Sequence, residues 1–440
     1  MSVFIGYPSF MAYQMMKGKK GNNDGFPSIP GMIARYSALG LTNEQMAANP
    51  VWVDKTGNGH DLQMKNFAWK EGSGISDIYS GFILGDGVDN FAVTEKELNF
   101  EDTYTVYTAF IPFDHLDRFD VLCGKNSSKD FYVNYFNDIK FYTAGGFGTL
   151  PLRVNQFTVL LCKRNGTTGI IKNLTTGESL QFNIKQLIDN PGLYYLWRST
   201  TIFNYARAAI AGQAICNGYF STDEDDEKVL NYYKQEYPWL FPDQAWTVTG
   251  KTNEDEDRAT IANITGNGNN LVLSNFGFAE GSGYNEQGEY AGYLVTDGVD
   301  DKVQSSSFTM NEDWTIVGDW ELLSNVQINC GIVKAQNVYL YSTAKGLLIS
   351  INSPRSLQSF GTKSLHAICS DGRLYDRNWV EYKYTADQNF SIVKSSLNIG
   401  FNLNNYTQMA FKNLGIYNNQ SLSKDDCIKA YNYLQTLKAK

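Results

Sequence analysis

Apolar positions along this chain come in short runs broken by Gly, Asn and Asp, and seldom recur at helical spacing. Residues 103–113, 131–136 and 157–162 are nearly all apolar. Runs of that length predict strands buried on both faces. Residues 379–385 alternate, with Val380, Tyr382 and Tyr384 on one side and Glu381 and Lys383 on the other. That pattern predicts a strand with one face turned inward. Two stretches read as helices. In STDEDDEKVLNYYKQ, Thr222 is the expected N-cap with Asp225 three residues on, and in SLSKDDCIKAYNYLQTLK Ser423 and Asp426 take the same parts. Ile428, Tyr431 and Leu434 are expected on one face of the second helix. The acidic run from Asp223 to Glu227 falls in the first turn of its helix, where carboxylates favour the macrodipole.

The pattern occurs twice. TGNGHDLQMKNFAWKEGSG begins at Thr56 and TGNGNNLVLSNFGFAEGSG at Thr265, and DGVD follows at Asp86 and again at Asp297. Agreement in residue type and spacing over such lengths marks a duplicated domain, and the period is too long for a solenoid. Thr-Asn-Glu precedes each copy, at Thr42 and Thr252, in what reads as an acidic loop. The glycines of TGNG permit positive φ and its Asn can bond its own backbone, so the run reads as a tight turn. LQMKNFAW and LVLSNFGF then read as strands, and DGVD as a turn into FAVTE or DKVQS. Trp314 to Val317 answers Tyr104 to Val106. The division is therefore 1–30, an N-terminal arm and linker; 31–242, a first lobe; and 243–440, a second. The arm alternates aromatics with Met before a linker-like KGKKGNNDGFPSIPG, and it reads as either a strand packed on the first lobe or an anchor on a partner.

Composition fits this picture. Charged residues make up 19% of the chain, below the usual ~25%. The 28 Tyr, 26 Phe and 39 Gly against 10 Pro suit short strands joined by turns. A net charge of −9 with no basic cluster beyond Lys17 to Lys20 argues against a nucleic-acid partner. No apolar run reaches the ~18 residues of a membrane span. The opening MSVFIGYPSFMAYQMM carries its lysines after the apolar part, an order that does not read as a secretory signal. Cys123 and Cys162 match Cys330 and Cys369 in spacing. These pairs read either as one disulfide per lobe or as small buried strand residues, and free thiols are the expectation. Cys216 and Cys427 have no counterpart, and no Cys/His cluster suggests zinc.

A TGNGN-type turn, an aromatic strand, DGVDD, a Trp-Thr-Ile strand and LGIYN before a capped helix resemble the laminin-G-like, concanavalin A-like lectin and glucanase domains. In the second lobe the matching residues are Thr265 to Asn269, Asp297 to Asp301, Trp314 to Ile316 and Leu414 to Asn418. The first lobe departs at His60, at Asn90 and at Cys216 to Tyr219. The resemblance implies an all-β chain: two concanavalin A-like (jelly-roll) β-sandwiches in tandem, each closed by a short C-terminal helix, with an N-terminal arm. The tandem copies with TNE, TGNG and EGSG look like proteins of gut Bacteroides and their phages.

Function expectations follow from that resemblance. The first is a non-enzymatic virion surface protein, a head- or tail-fibre component that folds in the host cytoplasm. Its arm would bind other virion proteins, its lobes would meet host or mucosal glycans, and it would form a homo-oligomer, with a trimer as the guess. A bacterial surface glycan-binding or adhesion protein is the alternative. A glycoside hydrolase needs two carboxylates flanking the bond, and the nearest acids, Glu254 to Asp257, read as a loop. His366, in SLHAICS, reads as a core or edge histidine. Candidate sugar-binding residues are Asn58, His60, Trp69, Asp86 and Asp89 in the first lobe, and Asn267, Phe278, Asp297, Asp300 and Asp301 in the second. For each, a turn-holding role is the simpler account. No cofactor is required. Calcium would fit some relatives of the fold, with Asp54, Asp86 and Asp297 as its ligands.

Overall fold

The computed structural model describes residues 24–113, 120–125, 131–185, 192–198, 204–323, 330–335, 338–343, 346–351, 358–360, 364–383, 393–399, 401–402, 405–406 and 408–439; from 330 to 360, 393–396 and 401–405 it describes backbone alone. Residues 1–23, and with them the apolar arm, lie outside the described residues, as do His115 and Tyr384.

The chain is all-β, two β-sandwiches in tandem, and it divides between Glu236 and Tyr237. The division falls earlier than composition suggests. The single turn Pro238–Leu240 belongs to the second lobe: the Trp239 carbonyl accepts from the Tyr417 hydroxyl at 3.0 Å, and its ring meets Tyr433 at 6.0 Å.

In the first lobe, one antiparallel sheet runs Ser179–Asn183, Thr168–Asn173, Thr158–Asn165, Thr103–Pro112, Ala208–Asn217, Ile83–Leu84, Gly74–Ile75, with Met32–Ser37 also on Ala208–Asn217. The other runs Gly146–Pro151, Asp138–Thr143, Tyr132–Tyr135, Asp120–Gly124, Tyr195–Leu196, Phe91–Thr94, Leu62–Lys65, Val51–Trp52. Val106, Phe110, Cys162 and Ile171 of the first sheet and Leu62, Met64, Val133 and Ile139 of the second share one buried cluster. Alternation along each strand sends every second side chain to the opposite face. The second lobe repeats the plan, with Trp314–Leu322 and Met409–Asn418 at the centre of one sheet.

The first sheet of the first lobe is covered. Tyr107 and Lys163 alternate with core residues and so point outward, where they meet helix Asp223–Glu236. The Tyr107 hydroxyl donates to Asp226 at 2.8 Å, and Lys163 Nζ lies 3.3 Å from the same carboxylate and 2.9 Å from the Ser221 carbonyl. Both Lys163 and Asp226 are buried. The macrodipole account of the acidic run thus suits Asp223 and Glu224, whereas Asp226 turns inward as half of a buried ion pair. Thr222 caps the helix as expected, accepting from Asp225 N–H at 3.2 Å while the Asp225 carboxylate accepts from Thr222 N–H at 3.0 Å.

The helix Lys424–Thr436 of the second lobe starts at Ser423, which accepts from Asp426 N–H at 3.1 Å. Its buried face is Cys427, Ala430, Tyr433 and Leu434. That is one position round from the expected face, and Ile428 and Tyr431 are only half-buried. Cys427, which has no partner in the repeat, faces Cys369 with the sulfurs 4.0 Å apart. Cys123, Cys162, Cys216, Cys369 and Cys427 are buried free thiols.

Three local expectations need correction. The TNE run of the first lobe is no loop: Thr42 caps helix Asn43–Ala48 through a reciprocal bond pair with Gln45. LQMKNFAW and LVLSNFGF are strands only through Lys65 and Ser274. Asn66 and Asn275 then take φ of 66° and 68° and anchor across the turn, each donating its side-chain amide at 3.1 Å, to the carbonyls of Asp89 and Asp300. Val380 does not face in; it is 49% exposed, because it lies just before the edge strand Glu381–Lys383, whose Tyr382 still packs on the core.

Candidate functional site

Most residues that the repeat singles out are tied into the turns they mark. Asn58 Nδ2 donates to the Ile33 carbonyl at 3.0 Å, and Asn267 Nδ2 to the Asp243 carbonyl at 2.6 Å, so each TGNG turn is pinned to the opening segment of its lobe. Asp54 is buried and accepts from the backbone N–H groups of Arg35, Thr56 and His60 and from the Thr56 hydroxyl. The His60 carbonyl accepts from the Tyr36 hydroxyl at 2.6 Å. Trp69 and Phe278, both at positive φ, turn back onto their cores, Trp69 stacked on Phe67 at 5.1 Å and Phe278 beside Phe276 at 6.0 Å. Arg258 lies over the Phe278 ring at 5.1 Å. Asp86 and Asp297 head their turns by accepting the N–H groups of the next residues: Val88, Asp89 and Asn90, and Val299, Asp300 and Asp301.

The carboxylates of Asp297, Asp300 and Asp301 lie within 4.8 Å of one another. Asp301 is fully buried, and burial pushes its carboxyl up to about 6. Bonds from Asp297 N–H and Ser282 oppose that rise, and the Asp297 and Asp300 charges add to it. Calcium asks for six to eight oxygens. Here both Asp301 oxygens already accept protein donors, and Asp297 Oδ1 accepts three. The trio does not fit a calcium cage, and no chemistry is assigned to a cation.

The acids nearest to a hydrolase pair form a turn. Asp255 accepts from Thr252, and Asp257 pairs with Lys251 at 2.6 Å. His366 is buried and stacked on Tyr431 at 4.1 Å, and burial lowers its pKa.

The chemistry that the repeat does not mark lies on the outer face of the second sheet of the first lobe. Among the described residues no helix lies over it. Cross-strand pairing lines up Phe147, Tyr142, Tyr132, Gly124, Tyr195, Val93, Gln63 and Val51, each directly opposite the next. These side chains share one face, because the core-facing residues alternate with them. Tyr142 lies 5.4 Å from Phe147 and 5.6 Å from Tyr132, ring to ring, and Phe147 is 56% exposed. Gly124 interrupts the row where a Cβ would meet the Tyr132 ring at 3.2 Å. Beyond it, Phe91 lies 6.4 Å from both Tyr195 and Tyr205, and the Arg198 guanidinium stands over Phe91 at 4.4 Å. Burial pushes the Tyr132 hydroxyl up to about 12. The neighbouring Asn134 side chain, buried like Tyr132, opposes that rise by a hydrogen bond.

The second lobe carries a different surface at the same place. Thr260, Val272, Gln304 and Asn398 follow one another in register. Asn398 stands where the first lobe has Tyr195. The abundance of Tyr and Phe is visible in the sequence, but only strand register shows which of them share a face.

No family model matches the chain, and no curated protein does. Among solved structures it is similar to Trypanosoma rangeli sialidase, at 12% identity and a TM-score of 0.37, over 53% of this chain and 40% of that one. It thus spans about 40% of the length of that relative. It is also similar to the binding domain of botulinum neurotoxin serotype D/C VPI 5993, at 7% identity and a TM-score of 0.39, over 87% of this chain and 99% of that one.

Proposed function

We propose that the chain is a non-catalytic glycan-binding protein whose first lobe holds an extended saccharide across the outer face of its second sheet. The observation that carries this is the aromatic row from Phe147 to Tyr195. It spans four strand-to-strand steps, roughly 19 Å at about 4.8 Å each, enough for several sugar rings. Aromatic faces take the apolar C–H faces of a pyranose, and Phe147, 56% exposed, with the half-buried Tyr142 and Tyr195, offers such faces. Helix Asp223–Glu236 occupies the other sheet, so this face is free of that duty. The turn-bound state of Glu254 to Asp257 supports binding over hydrolysis.

The finer reading, a phage head- or tail-fibre component whose arm seats it on the virion, rests on the sequence resemblance alone. So does its alternative, a bacterial surface adhesin. Electron microscopy of particles with mass measurement of the oligomer separates them, since a monomer absent from virions excludes the fibre. For binding itself, a glycan array probed with the full chain and with a Tyr142→Ala/Phe147→Ala variant is the test. The double variant is expected to lose at least tenfold in affinity for any saccharide bound, as aromatic anchors do, with unchanged circular dichroism. Binding that survives the double substitution places the site elsewhere, and an array with no binder excludes the lectin.

A further inference from the structure

We infer that Cys369 and Cys427 are an oxidation site, at which a peroxide joins the two thiols into a disulfide that staples the C-terminal helix of the second lobe to its sheet. The inference stands apart from the glycan-binding proposal. The two sulfurs are 4.0 Å apart, and both side chains are fully buried. A disulfide holds its sulfurs about 2.05 Å apart, so an approach of about 2 Å closes the bond. Cys369 ends the strand Leu365–Cys369, and Cys427 lies in the first turn of helix Lys424–Thr436, four residues after its cap Ser423. Each sulfur lies 3.9 Å from the Leu422 carbonyl, which also accepts from the Arg373 guanidinium at 2.9 Å.

The two lobes agree on a link at this place and differ in its chemistry. The Thr105 hydroxyl donates to the Tyr219 carbonyl at 2.9 Å and accepts from Ser221 N–H at 3.0 Å. The Thr315 hydroxyl donates to the Gln420 carbonyl at 2.9 Å and accepts from Leu422 N–H at 2.9 Å. Thr105 is directly opposite Lys163 on the neighbouring strand, and Thr315 is directly opposite Cys369. Sequence spacing matches Cys369 to Cys162; strand register matches it to Lys163. Asp226, like Cys427, is the fourth residue after its helix cap. The ion pair Lys163–Asp226 and the thiol pair Cys369–Cys427 therefore occupy one position, between helix and sheet. The ion pair is a complete tie as folded. Two thiols make only a weak contact until they are oxidised.

The bond from the Cys427 thiol holds the Cys369 thiol below its ordinary value against the effect of burial, and the Arg373 charge adds to the lowering. The same bond, together with burial, raises Cys427. Cys369 is thus the thiolate that attacks. Its sulfur takes one peroxide oxygen as the O–O bond breaks, giving a sulfenic acid. The other oxygen leaves as hydroxide and becomes water with the proton that Cys369 gave up. The Cys427 sulfur then displaces hydroxide from the sulfenic sulfur, and the Cys427 proton turns that hydroxide into water. Two thiols lose two electrons, and one peroxide is reduced to two waters.

The experiment treats the reduced full chain with excess hydrogen peroxide, blocks remaining thiols under denaturant and maps peptides without reductant. The expected product joins the Cys369 and Cys427 peptides, and a dithiol reverses it. Scanning calorimetry should show the second-lobe transition raised by roughly 5–15 °C with the first-lobe transition unmoved. Cys427→Ser should lose both effects and leave Cys369 as a sulfenic acid that dimedone labels. The map of the unsubstituted chain needs no variant, so it decides the pairing whether or not Cys427→Ser folds. Recovery of Cys369 and Cys427 as blocked thiols, once methionines of the same chain are oxidised, overturns the site. A bridge from Cys369 to Cys330 overturns the pairing. A Cys369–Cys427 bridge that leaves the second-lobe transition where it was overturns the staple.

Discussion

Asp301 and Asn90 hold the same place in the two lobes, and the difference between them sets a measurable stability term. Asn90 Oδ1 accepts from Asp86 N–H at 3.0 Å and from the Ser73 hydroxyl at 2.9 Å, while its Nδ2 donates to the Asn66 carbonyl at 2.8 Å. Asp301 accepts the matching pair, from Asp297 N–H at 2.8 Å and the Ser282 hydroxyl at 3.1 Å. An ionised carboxylate has nothing to donate. Burial raises its carboxyl from 3.8 to about 6. Such a rise corresponds to about 3 kcal/mol at about 1.4 per unit, and screening by water over the exposed Asp300 beside it cuts this to about 1–2 kcal/mol. The folded state holds the proton more tightly than the unfolded chain. Stability from this group is therefore complete below about pH 4 and is lost as pH climbs to about 6. Asp301→Asn should stabilise the second lobe by about 1–2 kcal/mol at pH 8, a Tm gain of roughly 2–6 °C for a lobe of this size, with little gain at pH 4. Asn90→Asp should do the reverse in the first lobe. Scanning calorimetry of the full chain at the two pH values is the assay. An Asp301→Asn protein no more stable than the parent at pH 8, or stabilised equally at both, would refute the reasoning.

Other consequences are as direct. Lys163→Leu leaves Asp226 buried without its cation and should cost about 3–5 kcal/mol, whereas Lys163→Leu with Asp226→Leu should cost much less, as urea unfolding will report. Asn43 and Asn253 each clamp a strand through paired bonds, Asn43 to both backbone groups of Ile75 at 2.7 and 2.9 Å, and Asn253 to those of Tyr284 at 2.8 and 2.7 Å. Alanine at either should destabilise its own lobe by about 1–3 kcal/mol, read as a shift in that lobe's transition alone. Burial lowers the pKa of His366, so its contribution is present above about pH 6.5 and lost as pH falls through the folded value. His366→Phe should flatten that acid limb, and a limb unchanged by the substitution would exclude His366 as its source.

The frame is legible in the sequence and the surface is not. Thr222, Ser423 and the glycines of TGNG announce caps and turns because such residues act locally, within three or four positions. The duplicated runs announce two lobes because their spacing is a property of the chain. Asn66 reads as a strand residue because its αL conformation is fixed by a bond to Asp89, more than twenty positions on. Val380 reads as buried because alternation says which side chains share a face and not where the strand begins, which is one residue later, at Glu381. Phe147, Tyr142, Tyr132 and Tyr195 come from four separate strands, and pairing register, which no local pattern encodes, brings them into one row. Cys427 lacks a counterpart in the repeat because the first lobe uses Asp226 in the matching turn.

The residues that the two lobes share are almost all spoken for by hydrogen bonds inside their own turns, and the second sheet of each lobe is bound by no such agreement. Selection on folding therefore holds the turns still while leaving that sheet to drift. Asn398 in the place of Tyr195 and Ser274 in the place of Lys65 are the visible record of it. A duplication of this kind yields two copies of one chassis with independently editable panels, so exchanging the strands Phe91–Thr94 and Tyr195–Leu196 for their second-lobe equivalents should move a binding preference without rewriting the fold that carries it.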